Sequence, residues 1–288
     1  ILNDYFKYNK EIYEKIHNLK EKIHKLTDLQ KCSKELKSLE KEITMFHAKV
    51  VNNILRDKKV DIVGFHGQTI YHNSQEKVSK QLGNGALLSQ LTKKDVVYNF
   101  RSNDLKNGGE GAPLSPIFHQ LIATQNSLDL PICILNIGGI SNITIVGGPS
   151  GTLSLTSRDI GPGNCLIDSW VRKNSDKNFD KDGILASQGT RNEIIFEQAQ
   201  ELFSNRPNQN TLSFDVNDFD VSFARGLSLE DGATTLTDFT ARIIGSALFS
   251  LLSNVKNKLW KVLICGGGRK NKVLIEKIKK NTLPNIII

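Results

Sequence analysis

A chain of 288 residues is longer than one small hydrophobic core requires and fits two packed lobes. Its 39% apolar content is ordinary for a globular protein, and no run approaches the roughly 18 consecutive apolar residues of a membrane span. The net charge of +8 comes from a lysine excess spread along the chain without a block of like charges, which argues against nucleic acid or a membrane surface as partner.

From Tyr5 to about Leu55 the chain carries neither Gly nor Pro. Ile12, Ile16 and Leu19, then Leu36, Leu39, Ile43, Phe46, Val50 and Ile54 recur at steps of three and four, the period of an amphipathic helix. A break at Thr27-Asp28 divides the run into two helices, the second opening near Ser33. The apolar period does not keep to sevens for long, so a coiled coil is the lesser alternative, although the stripe offers a surface for a homodimer.

Val60 to Phe65 reads as a buried strand, with His66-Gly67-Gln68-Thr69 at its carboxyl end, the edge where open α/β sheets bind ligands. Leu82 to Ala86 turns into a helix through Leu91. Val96 to Phe100 is a further strand delivering Arg101 and Asp104 to a loop, which Gly108 to Pro113 continues. An arginine there can hold a carboxylate through two parallel hydrogen bonds, or serve a surface ion pair. Pro116 to Gln125 is a helix, and Asn126 to Pro131 a link into a second lobe.

Ile132 to Asn136 is a strand entering Ile137-Gly138-Gly139-Ile140-Ser141-Asn142, with a partner strand from Ile143 to Val146 and a second turn at Gly147 to Gly151. The next segment ends in Arg158-Asp159-Ile160-Gly161-Pro162-Gly163-Asn164. Glycine admits φ > 0 and carries no Cβ, so such turns can aim backbone N–H groups at an anion, with Asp159 near whatever bears it. The plain alternative is a pair of hairpin turns. Asp168 and Trp170 fall on a helix starting at Asn164, whose N-terminus would favour negative charge. Phe179 to Gly183 is an acidic turn lacking the later ligands of a calcium loop. Leu202 to Phe223 reads as irregular surface, Asp231 to about Asn254 as a helix, and Lys261 to Cys265 as a strand entering Gly266-Gly267-Gly268 and a helix from about Lys270.

Cys32, Cys133, Cys165 and Cys265 lie far apart, without C-x-x-C or zinc-like spacing, as expected of reduced thiols in the cytoplasm. No secretory signal is visible. Met45 is the only methionine, so the sequence is expected to begin inside a longer parent or to use an unusual start.

His66-Gly67-Gln68-Thr69, Phe100-Arg101 with Asp104, Gly108 to Leu114, Asn136 to Asn142, Asp159 with Gly161 to Asn164, and Cys265 to Gly268 resemble, in that order, the motifs of 1,6-anhydro-N-acetylmuramic acid kinases. The resemblance implies an α/β fold with two RNase H-like lobes of the actin-like ATPase and sugar-kinase type, residues 1–128 forming an incomplete first lobe and 129–288 the second. ATP would bind with Mg²⁺ carried on its phosphates. Gly138, Gly139 and Ser141 would line the phosphates and Gly266, Gly267 and Gly268 the adenosine side, with Asn142, Gly161 and Gly163 also in the cofactor site. Asp159 would be the catalytic base, and His66, Thr69, Arg101 and Asp104 the sugar-side residues.

Departures from that pattern bear on activity. A first phosphate loop of the Gly-Thr-Ser-x-Asp-Gly type does not occur, and the sequence ends at Ile288, where the family continues with a strand and a helix bearing a substrate-side Glu. Asn84 and Asn99 replace acids, and Leu212 and Val216 stand where basic residues are common. A missing phosphate clamp removes electrostatic stabilisation of several kcal/mol or thereabouts (~3–4), so weak activity is expected. The alternatives are an inactive remnant binding sugar or nucleotide, and a chaperone-type actin-like ATPase, in which the sugar-side motifs would have no task.

Overall fold

The computed structural model describes residues 4–56, 59–147, 154–205, 214, 216–252 and 259–288. They form two compact units, Ile1–Leu114 and Ser115–Ile288. Among the described residues no helix is long and apolar enough to cross a membrane.

In the first unit the N-terminal stripe folds on itself. Helices α1 (Lys10–Lys22), α2 (Leu26–Lys31) and α3 (Ser33–Ile54) follow one another. The chain therefore breaks at residues 23–25, and Thr27 and Asp28 lie inside the short α2 rather than at the break. The Asn9 side chain caps α1 by accepting the Ile12 N–H, and the Asp28 carboxylate receives the His24 and Lys25 N–H groups ahead of α2. Ion pairs Lys15–Glu42 at 2.8 Å and Lys22–Glu35 at 3.0 Å set α1 antiparallel to α3. Ile12, Ile16, Leu19, Leu36, Leu39 and Ile43 are buried together against Ile70, Tyr71 and Leu82. The stripe read as a surface for a homodimer is thus spent inside its own unit.

Strand β1 (Ile62–Phe65) is followed by the hairpin of β2 (Gln68–Asn73) and β3 (Val78–Leu82), then α4 (Gly85–Thr92), β4 (Asp95–Tyr98) and α5 (Phe100–Lys106). β4 lies parallel to β1, with Phe65 opposite Tyr98. Asn84 caps α4 by accepting the Leu87 N–H, and Asn99 takes the left-handed conformation at φ 58 that turns β4 into α5. Arg101 and Asp104 consequently stand on a helix and not on the loop expected of them.

The second unit begins with α6 (Ser115–Gln125), before the 128/129 boundary expected from sequence, because α6 packs on the sheet that follows. That sheet comprises β5 (Ile132–Ile137), β6 (Ile140–Val146), β7 (Leu155–Pro162), β8 (Trp260–Cys265) and β9 (Ile286–Ile287), in the order β7-β6-β5-β8-β9. Only β6 runs against the others, so β7, β5 and β8 end at one edge. Alternation along β5 sends Cys133, Leu135 and Ile137 into the core and Ile132 toward Ala123 of α6.

The core face is covered by α10 (Leu229–Leu252) and α11 (Lys272–Lys280). α7 (Cys165–Asn174), α8 (Ile184–Gln188) and α9 (Glu193–Ser204) join α10 in an adjoining cluster around Trp170 and Phe239. Leu202 therefore belongs to a helix, not to irregular surface; residues 206–213, and with them Leu212, lie outside the described residues, as do Gly148 to Gly151 of the expected second turn.

Gly232, in the first turn of α10, faces the Trp170 indole so closely that an added Cβ would collide with the ring. Helix propensity alone favours alanine there by about 1 kcal/mol, but the steric clash opposes it. Gly232→Ala is expected to destabilise the protein by about 1–3 kcal/mol, read as a lower urea midpoint at unchanged slope.

Burial raises the Asp168 carboxyl on α7 to about 6; the Arg172 charge opposes this and Asp180 adds to it. A carboxyl raised in the folded state loses stability as pH climbs from the unfolded value, near 3.8, through about 6. Asp168→Asn should match the parent near pH 4 and exceed it by about 1–2 kcal/mol above pH 7, after allowance for remaining solvent contact; urea titrations at both pH values measure this.

Candidate functional site

The carboxyl edge of the second unit's sheet gathers three glycine turns. Gly138-Gly139 joins β5 to β6, Gly161-Pro162-Gly163 leads from β7 into α7, and Gly266-Gly267-Gly268 follows β8. The first two interlock through the backbone: the Gly138 carbonyl accepts the Asn164 N–H at 2.8 Å, and the Gly139 carbonyl accepts those of Gly163 at 2.8 Å and Cys165 at 3.1 Å. Asn164 adds its side-chain amide to the Gly138 carbonyl at 3.0 Å.

This interlock narrows the expectation for α7, since the Asn164 and Cys165 N–H groups at its start are bonded to the neighbouring turn. Ser141, expected along the phosphates, begins the β6 side of the same interlock. It is fully buried and donates its hydroxyl to the Pro162 carbonyl at 3.2 Å.

The glycines divide by what surrounds them. A Cβ on Gly163 would strike the Gly138 carbonyl, one on Gly268 the Ile137 side chain, and one on Gly266, at φ +82, the Ile137 carbonyl. Gly161, at φ +147, presses against Ile243. These four are required by the packing of the turns. Gly139 and Gly267 instead are exposed, with nothing nearer than 3.5 Å to a Cβ placed on either. The Gly139 N–H meets no backbone acceptor among the described residues. They are the positions at which a ligand can reach backbone.

Asp159 lies in β7, beside a bulge. Ser141 pairs with Gly161 and Asn142 with Asp159, leaving Ile160 as the extra residue, and Ile160 is buried in the core. Bulges redirect neighbouring side chains. Here Asp159 comes to the face opposite the core, half-buried, where its Oδ2 accepts the Phe214 N–H at 2.8 Å.

Registers across the sheet continue the line. Asp159 is opposite Asn142, Asn142 opposite Asn136, and Asn136 opposite Cys265. Residues directly opposed in a sheet project from the same face. Four half-buried polar side chains therefore cross β7, β6, β5 and β8 in one row beneath the glycine turns. Sequence reading singled out Asp159 and Asn142 but missed Asn136 and Cys265. The signal was the strand alternation itself, which puts Asn136 on the same face as Ile132 and Ile134.

The sugar-side candidates all fall in the first unit. His66 and Arg101 follow the carboxyl ends of the parallel pair β1 and β4 and so share one edge. His66 is exposed, with Nδ1 at 2.9 Å from the Gly67 carbonyl, whereas Arg101 is half-buried. Burial, and after it the Arg101 charge, hold the His72 imidazole of β2 below its usual range, which puts Arg101 near that hairpin.

Thr69 is engaged across the hairpin, accepting from Gln81 Nε2 at 3.3 Å. Asp104 organises its own loop: Oδ2 accepts the Gly111 N–H at 2.7 Å, and its carbonyl accepts the Gly109 N–H at 2.9 Å. Of the four, His66 meets only the carbonyl of its neighbour Gly67, and the Arg101 guanidinium has no hydrogen bond or ion pair among the described residues.

Val216 places a methyl 3.5 Å from a Cβ on Gly139, so an apolar side chain stands over the turn where a basic residue was noted as common. All four cysteines are free thiols. In the acidic turn, Asp180 is buried and both its oxygens accept N–H groups, from Leu185 at 2.8 Å and Ala186 at 3.0 Å. Among the described residues no group of three or more His, Cys, Asp or Glu is placed to hold a metal.

A family model described as Anhydro-N-acetylmuramic acid kinase matches residues 3–288. The anhydro-N-acetylmuramic acid kinase of Pelagibacter ubique (strain HTCC1062) is 50% identical over 290 residues, covering 100% of this chain and 77% of that protein. The proteins of the same name from Zymomonas mobilis and Methylobacterium nodulans are 37% and 36% identical, covering 82% and 85% of this chain. The chain spans 64% of the length of each of those two relatives.

Among solved structures, the activator of 2-hydroxyisocaproyl-CoA dehydratase from Clostridium difficile with bound ADPNP aligns over 70% of this chain and 72% of that one. With 14% identity and a TM-score of 0.39 it is too loose a likeness to argue from. On the match over residues 3–288 and the 50% identity along its whole length, the chain belongs to the anhydro-N-acetylmuramic acid kinase family, a family of ATP-dependent sugar kinases.

Proposed function

We propose that this protein opens the 1,6-anhydro bond of anhydro-N-acetylmuramic acid and phosphorylates O6 with ATP, giving N-acetylmuramate 6-phosphate in cell-wall recycling. The reading rests on one arrangement: an exposed glycine turn, Gly138-Gly139, at the carboxyl edge of a sheet, with the Asp159 carboxylate one strand away on the same edge. Open α/β sheets take ligands at this edge.

In this reading Asp159 takes a proton from water as the water oxygen bonds to the anomeric carbon. The bond from that carbon to O6 breaks, and O6 bonds to the γ-phosphorus while the bond to ADP is released. An ionised carboxylate within reach of the water serves as general base, and a fixed orientation raises its effect. The Phe214 N–H on Oδ2 helps hold the carboxylate in one orientation.

ATP phosphates would lie over Gly139, whose N–H is open, with the adenosine toward Gly267. Mg²⁺ travelling with the nucleotide offsets phosphate charge. The tight glycines Gly163, Gly266 and Gly268, together with Gly161 and Ser141, act by holding the turns, and Asn142 stands beside Asp159 in the polar row. His66 and Arg101 would face the sugar, Arg101 suiting the lactyl carboxylate as a bidentate donor. Thr69 and Asp104 support that edge through Gln81 and the 108–111 loop. The free thiols agree with a cytoplasmic protein.

Incubation of the chain with ATP, Mg²⁺ and the anhydro sugar should yield phosphorylated sugar and ADP. Asp159→Asn should lower turnover by about 10²–10⁴-fold with nucleotide affinity nearly unchanged; residual activity above about a tenth would remove Asp159 from the role of base. Nucleotide binding without any sugar product from the unaltered chain would instead favour a binding protein.

A further inference from the structure

Asn136 is the penultimate residue of β5 and has no role in the mechanism above. Its amide is held between two glycine turns. The Cys265 thiol lies 3.6 Å from Oδ1, and a Cβ on Gly266 would stand 2.6 Å from the same oxygen. A Cβ on Gly138 would stand 3.7 Å from Nδ2.

In this contact the Cys265 S–H donates to the amide oxygen, which turns the NH₂ the other way. Burial pushes the Cys265 thiol up, outweighing the nearby Arg269 charge, so the sulfur keeps its proton at neutral pH. The carbonyl end of Asn136 is accordingly turned toward β8 and the NH₂ toward the Gly138-Gly139 turn.

That NH₂ has no acceptor among the described residues, although Asn136 is half-buried. The NH₂ still meets solvent beside the Gly138-Gly139 turn, and an anionic oxygen above the turn would accept from it in a charge-assisted hydrogen bond.

We propose that Asn136 binds the phosphates of the nucleotide, its Nδ2 donating to a β- or γ-phosphate oxygen over Gly138-Gly139, and that Cys265 is a positioning residue that keeps the amide facing them. This rests on the nucleotide site read above. It assigns to the polar row a division of labour: Asp159 at one end for the water, Asn136 and Cys265 at the other for the phosphates.

The test measures binding of a non-hydrolysable ATP analogue with Mg²⁺, of ADP and of AMP to the full chain, with thermal melts confirming that each variant folds. Asn136→Ala should weaken the ATP analogue about 10–100-fold, the range of a hydrogen bond to a charged group, and leave AMP within about twofold. Cys265→Ala should weaken the analogue by about threefold, and Cys265→Ser, whose hydroxyl also donates, should restore it.

Unchanged analogue binding in a folded Asn136→Ala protein, or equal weakening of AMP, would overturn the assignment. Should Asn136→Ala fail to fold, the alanine and serine variants of Cys265 decide, since identical affinities for both would overturn it too. A parent chain binding none of the nucleotides would instead remove the nucleotide site itself, and this inference with it.

Discussion

Two peptide carbonyls, those of Gly138 and Gly139, hold the functional edge of this protein together. They accept three backbone N–H groups from residues 163–165 and a side-chain amide from Asn164. Each bond is worth about 1 kcal/mol net, and leaving such groups unpaired in a buried turn costs more. The interlock fixes the β5–β6 turn against the start of α7, so strands distant in sequence deliver their glycines to one place. It also occupies the first two N–H groups at the head of α7, those of Asn164 and Cys165, while Gly139 and Gly267 stay exposed beside them.

The same edge shows how packing and chemistry divide one sheet between its two faces. Leu135, Ile137, Ile143 and Val262 point into the apolar core shared with α10 and α11, whereas the opposite face carries Asp159, Asn142, Asn136 and Cys265 at a single level. The bulge at Ile160 reconciles the two demands. It returns an apolar side chain to the core while leaving Asp159 on the polar face, at the expense of one broken register in the ladder. In the first unit a comparable economy applies, since the helical stripe supplies a core for the β2–β3 hairpin and so supports the edge where His66 and Arg101 emerge.

Much of this was legible in the linear pattern. Strands at β1, β4, β5 and β8, helix α10 and the glycine turns are local signals, set by alternation, by helical period and by the absence of Cβ. The elements misread were those whose state depends on a neighbour. α5 forms because Asn99 turns the chain left-handed, and α2 forms because Asp28 caps it, neither of which is visible in an apolar period. α6 reads as a helix on its own, yet its membership of the second unit follows from Ala123, Ile132, Val146 and Leu155 packing together.

The sequence by itself determined the chemical inventory and, through six ordered motifs, the family to which the chain belongs. Those depend on residue type and spacing, which a chain carries whatever its conformation. Only the tertiary structure decided which members of that inventory are free to act. Ser141, Thr69 and Asp104 resemble ligand-binding groups in one dimension, but their polar atoms are committed to Pro162, Gln81 and Gly111, while Asn136 acquires an outward-facing donor. The physical reason is that a hydrogen bond is satisfied by whichever partner lies within reach, and reach across four strands is set by register, a property that no single segment possesses.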